Sequence, residues 1–295
     1  MRYIFNSFCF IFLFLFTISC GGVKHSKKLQ EALPGTWQSQ PIVIDGDSKD
    51  WPSPYPNYDS KAKVAYATSN DRENLYITME TGDEMTQIKI LKQGLTVSID
   101  TSGGKSADFN INFPLQNDLE PLELSKKDFG QKKGNMDAYE ENQKAKKLSK
   151  NALEANQLSL EGFINCNGGF MVKQATPCGI RVRISMDEYK ELVWEAVIPF
   201  KAIYNKETIS AEDAGKHISV CFAVKAFKKQ ESKGSDNSAG NGGGMNNGMG
   251  GAGTNSAMRG GSRTGGHGAI AENPMQHLYE NTKTWKFFGL AYQAK

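Results

Sequence analysis

The chain has 295 residues, and its 35 lysines and arginines are nearly matched by 32 aspartates and glutamates. A net charge of +3 supplies no long-range field for holding a polyanion, so nucleic acid is not an expected partner. The length is enough for one large β domain or two small ones.

The first twenty residues, MRYIFNSFCFIFLFLFTISC, open with the basic Arg2 and run through a Phe-rich apolar stretch that ends at small residues. That layout is a secretory signal. The unbroken apolar part, Phe8 to Ile18, falls short of the roughly 20 residues that a membrane-crossing helix needs. Thr17, Ile18, Ser19 and Cys20 resemble the lipobox of bacterial lipoproteins, with Thr17 where Leu is commonest. The expectation is a signal peptide over 1–19, lipid on Cys20 as the anchor, and a mature chain outside the cytoplasm. Its place is then the cell envelope, with the outer membrane as first choice.

Residues 20–36 are polar and lysine-bearing without a β period, and read as a tether. From there the rest of the chain, 37–295, reads as one domain. Alternating apolar positions predict strands over 62–69, 73–80, 95–100 and 108–113, the last two joined by the turn TSGGKS. An insertion over 114–157 is rich in Lys, Glu, Asn and Gln. Within it, Asp137 to Asn156 has strong helix formers and a thin apolar stripe, which predicts a solvated helix on the rim. Strands resume over 158–165, 180–185, 191–199, 217–227 and 284–292. About ten strands at this spacing predict an all-β, antiparallel, jelly-roll-like sandwich. Residues 228–274 pass into Gly/Asn/Ser/Met low complexity and read as a long disordered loop, which cannot repay its ordering entropy by burial.

Outside the signal, Cys166 and Cys178 bracket the turn-rich NGGFMVKQATP. They are either a disulfide, which at that loop length would contribute about 3 kcal/mol, or two free thiols. Cys221, in the apolar run HISVCFAV, is expected to be a buried free thiol.

Four scattered histidines, with no HExxH or CxxC, give no support for a transition-metal centre, and no cofactor is expected. No GxSxG, P-loop or GxGxxG occurs in a strand-turn-helix setting. Carboxylates such as Glu191 and Glu195 read as strand-surface groups, so no enzyme is expected. The segment WPSPYPNYD carries three prolines that stiffen a loop displaying Tyr55 and Tyr58. Rigid rings lose little entropy when a flat ligand stacks on them. Trp51, Tyr55, Asn57, Tyr58 and Asp59 are therefore the candidate ligand residues. Trp51 has a rival structural role, capping one end of the core with its indole N–H on a backbone acceptor.

In order along the chain, IDGDSKDWP (44–52), NDRENLYITMETGD (70–83), LTVSIDT (95–101) and WEAVIPF (194–200) resemble the successive signatures of family 9 carbohydrate-binding modules and their DOMON-related sandwiches. The resemblance implies the fold more than a ligand. Sugar-binding members clamp a terminal sugar between two loop tryptophans, whereas Trp194 and Trp285 fall in expected strands here. Haem, bound by some relatives of the fold, would need a Met and a His on one pocket, and no spacing points to such a pair. The resulting expectation is a lipid-anchored, non-catalytic binding module with carbohydrate as partner. The alternative is a structural or assembly lipoprotein that contacts an envelope protein.

Overall fold

The computed structural model describes residues 32–115, 138–228 and 276–294. The expected signal segment, Cys20, and all but the first residue of the low-complexity stretch lie outside the described residues. Five strands, β1 (Asn57–Asp59), β2 (Val64–Asn70), β3 (Asn74–Thr81), β8 (Arg181–Met186) and β9 (Leu192–Pro199), form one sheet in the order β1-β2-β3-β9-β8. The other has six, β4 (Leu95–Asp100), β5 (Phe109–Asn112), β6 (Gln157–Glu161), β7 (Gly168–Met171), β10 (His217–Val224) and β11 (Thr282–Gly289), in the order β11-β10-β4-β5-β6-β7. Every named pair is antiparallel. The antiparallel sandwich expected from the strand spacing is thus the architecture found.

Alternation decides what lies between the sheets. Leu75, Ile77 and Met79 on β3 and Trp194, Ala196 and Ile198 on β9 face Val97 and Ile99 on β4 and Ile218, Val220 and Phe222 on β10 in one core. Each large apolar side chain buried there contributes about 1.5–3 kcal/mol. The indole N–H of Trp194 donates to Phe113 O at 3.1 Å, which removes the cost of burying it.

Among the described residues, three α-helices flank the sheets: α1 (Glu84–Gln93), α2 (Ala138–Glu154) and α3 (Phe200–Tyr204). The sequence patterns above left α1 unassigned, although its caps are ordinary. Asp83 accepts from Thr86 N, and Gly94 follows the last turn with its N–H on Ile90 O. The expected rim helix is α2: most of its described side chains are exposed, and its thin stripe, Leu148 and Ala152, docks on the main core, while Lys144 pairs with Glu84 of α1.

Lys89 of α1 is almost fully buried, and its ammonium donates to His277 O, Glu280 O and Thr282 Oγ1 at 3.0, 2.5 and 2.9 Å. Burial lowers its pKa to about 8. This one cation fixes where the chain enters β11.

The tether expectation also shifts. Leu33 already pairs with β11, donating to Phe287 O at 2.8 Å and accepting from Gly289 N at 2.9 Å. Cys166 and Cys178 form a disulfide, which ties the β6–β7 turn to the residues leading into β8 and so links the two sheets. Cys221 is a buried free thiol.

Candidate functional site

Part of the five-stranded sheet's outer face is covered by residues 42–55 of the chain that precedes it. Ile42, Ile44 and Trp51 form a second small core with Ala67, Tyr76 and Val197, and Tyr55 packs against it. At its centre lies Glu195 of β9, with no exposed surface. Its two carboxylate oxygens accept from Gly46 N at 2.8 Å and from Trp51 Nε1 at 2.5 Å. Glu195 is buried, not a strand-surface group, and the acceptor for Trp51 is a side-chain carboxylate, not a backbone oxygen. Burial raises Glu195 to about 7 even though both N–H groups favour the anion.

Gly46 has φ +90°, and a Cβ there would come within 2.9 Å of the Ser185 side chain. Only glycine allows the bend that brings its N–H to Glu195. Ser185 Oγ donates to Gly46 O at 2.7 Å and closes the same contact from the other side.

The candidate ligand residues divide by environment. Trp51 is 5% exposed and presents no face to solvent. Tyr55 is half-buried, with its hydroxyl 3.2 Å from Thr78 Oγ1, and burial pushes its phenol up. Asp59 accepts from Ala62 N, Thr284 Oγ1 and Lys286 Nζ, each at 2.7 Å. Burial would raise it, but Lys286 and these donors hold it down at about 2, so Asp59 is a fastening between β1 and β11. Asn57 reaches Tyr66 O at 3.4 Å. Tyr58, 64% exposed on the edge strand β1, offers its ring to solvent.

Beside the cover a cleft opens, of about 280 Å³, between residues Gly46 to Lys49 and residues Ser185 to Tyr189. The turn from β8 to β9 forms one wall. Asp187 Oδ1 accepts from Tyr189 N at 2.9 Å and from Glu191 N at 2.8 Å, and Lys190 takes a left-handed φ of 65°. The turn is therefore fixed from within, and it holds Tyr189 outward with 77% of its surface exposed. Across the cleft Asp47 and Lys49 form an ion pair at 2.7 Å. Tyr189 is not among the residues that the sequence pattern singles out. The signal available was an aromatic residue at the tip of a polar turn, MDEYKE, between two clear strands.

Glu80, Asp187 and Glu191 lie at the same end, with ligand oxygens all within 4.8 Å of one another. Among the described residues this is the group able to hold a divalent cation. Burial and the neighbouring Glu191 carboxylate push Glu80 up to about 7, so a proton satisfies the same crowding.

The chain matches no family model and no curated protein. Among solved structures, a family 9 carbohydrate-binding module from Caldicellulosiruptor kristjanssonii in complex with cellotriose is similar at 12% identity. The match covers 66% of this chain and 76% of that one, with a TM-score of 0.28. A family 9 module from the same organism in complex with glucose is similar at 11% identity over 68% of this chain and 80% of that one, also at 0.28. Overlap of that extent leaves the reading to this chain's own residues.

Proposed function

We propose that this protein is a non-catalytic carbohydrate-binding module, lipid-anchored through Cys20 and held outside the cytoplasm in the cell envelope. The observation that carries the reading is Tyr189. Its exposed ring stands on a turn locked by Asp187, beside a cleft whose other polar residues are Asp47, Ser48, Lys49, Ser185 and Glu188. Sugar sites join one aromatic face to a few fixed hydrogen-bonding groups, and a ring on a preorganised turn loses little entropy on stacking. Tyr58, the well-exposed tyrosine of the expected segment, gives a second stacking face on β1.

The export half of the proposal rests on the signal and lipobox pattern, and the Cys166–Cys178 disulfide is chemistry suited to an oxidising compartment. Two tests separate the parts. Calorimetric titration of the detergent-solubilised chain with monosaccharides and plant and microbial polysaccharides should find a binder, and Tyr189→Ala should weaken monosaccharide binding without lowering the melting temperature. Cys20→Ala should release the protein from membranes, because the few flanking lysines cannot hold it. Membrane retention of that variant through a salt wash would remove the anchor.

A further inference from the structure

The two walls of the Tyr189 cleft are joined at Gly46. Its N–H donates to Glu195 at 2.8 Å and its carbonyl accepts from Ser185 Oγ at 2.7 Å, so β9 and β8 fix the same residue. From that joint one wall runs through Asp47, Ser48 and Lys49, and the other through Met186, Asp187, Glu188 and Tyr189. Asp47 accepts from Lys49 N and caps a short helical turn, while Asp187 accepts from Tyr189 N and Glu191 N. Both walls are thus preformed.

The charged residues that line the cleft are Asp47, Lys49, Asp187 and Glu188, three acids to one base. Lys49 reports the sign of the field. Its pKa is raised above the ordinary lysine value, first by the bond to Asp47 and the charge of that carboxylate, then by Glu188 on the opposite wall and by Asp45. Asp47 and Lys49 offset each other, so the wall of Asp187 and Glu188 keeps its charge. Among the described residues neither of those two has a cation within ion-pair distance. Glu80 and Glu191 add to it, with carboxylate oxygens within 4.8 Å of Asp187. Lys190 follows Tyr189 in the turn but is not a lining residue.

The same turn raises the mostly exposed Tyr189 ring beside these carboxylates. An aromatic face attracts a cation, and so does an uncompensated carboxylate. An ammonium carried on a sugar meets both here. A uronate carboxylate meets like charge, and a neutral hydroxyl gains from neither.

We infer that the Tyr189 cleft takes an amino sugar, a hexosamine unit with a free ammonium, its ring on Tyr189 and its ammonium toward Asp187 and Glu188, and that it disfavours uronic acids. This rests on the carbohydrate reading above and adds the charge of the ligand.

The test is calorimetric titration of the full chain in non-ionic detergent with glucosamine, N-acetylglucosamine, glucose and glucuronate. It is run at about pH 6, where a sugar amine is an ammonium, and in EDTA, which keeps divalent cations off the acidic turn. Glucosamine should bind about fivefold tighter than glucose or N-acetylglucosamine, and glucuronate about fivefold weaker than glucose. Glu188 is exposed and makes none of the bonds that fix the turn, so its replacement leaves the wall in place. In Glu188→Gln the ratio of glucosamine to glucose affinity should fall toward one, and in Glu188→Lys it should fall below one. Lysine amide, an ammonium without a sugar ring, is the control, and binding as tight as that of glucosamine overturns the sugar. Equal binding of glucosamine and glucose overturns the charge selectivity, as does a ratio unmoved by Glu188→Lys in a folded protein, while the carbohydrate reading survives. Failure of every sugar to bind overturns both.

Discussion

Trp51 donates its indole N–H to the carboxylate of Glu195 at 2.5 Å, across 144 residues of chain, and this bond joins the N-terminal cover to the outer face of β9. Gly46 N–H completes the pair of donors on the same carboxylate. Glu195→Ala would strand both donors in a dry site, and the expected cost is about 3 kcal/mol. Trp51→Phe keeps most of the ring and loses one bond, for about 1–2 kcal/mol. Urea unfolding checks both, as a lower midpoint with an unchanged slope.

Glu80 and Glu195 both stand near 7 in the folded protein, above the ordinary 4.5. The folded state then holds protons that the unfolded chain releases, so their contribution is fully present below about pH 4.5 and is lost as the pH rises to about 7. The melting temperature should fall across that window. Glu80→Gln, which mimics the protonated form, should flatten the slope, and an unchanged slope would mean that Glu80 titrates normally.

Lys89→Met keeps the length of the side chain and removes the ammonium that holds His277 O, Glu280 O and Thr282 Oγ1. Three acceptors lose a donor in a largely dry place, so a loss of about 1–3 kcal/mol is expected. Hydrogen exchange should rise first in residues 277–282, where the chain is fastened, and a uniform rise across the sandwich would count against this account.

The two tyrosines of the Pro-rich segment should separate cleanly. Tyr55 packs on the second core and bonds to Thr78, so Tyr55→Ala should cost about 2 kcal/mol. Tyr58 is mostly solvent-exposed, and Tyr58→Ala should stay within about 0.5 kcal/mol. Thermal unfolding of the two variants side by side measures the difference.

Much of the scaffold was legible in the residues. The alternation in LTVSID and WEAVIPF gave β4 to the residue and β9 to within one, and it set Trp194, Ala196 and Ile198 on one face with Glu195 and Val197 on the other. The cap signals of α1, Asp83 and Gly94, were present but enclosed only ten residues with little apolar periodicity. β7 begins with two glycines, which have little strand preference of their own and pair because β6 is beside them.

The site was less legible, for a specific reason. A period of two says which side chains share a face of a sheet, but it does not say what lies over that face. That Glu195 is buried, that Trp51 bonds to it, and that Asp59 fastens β11 all depend on segments more than a hundred residues apart meeting in space. The local pattern therefore determined most of the strands, their facing and the sandwich. The tertiary structure decided which polar groups on the strands are covered, because burial of a polar group is settled by partners that no local spacing encodes.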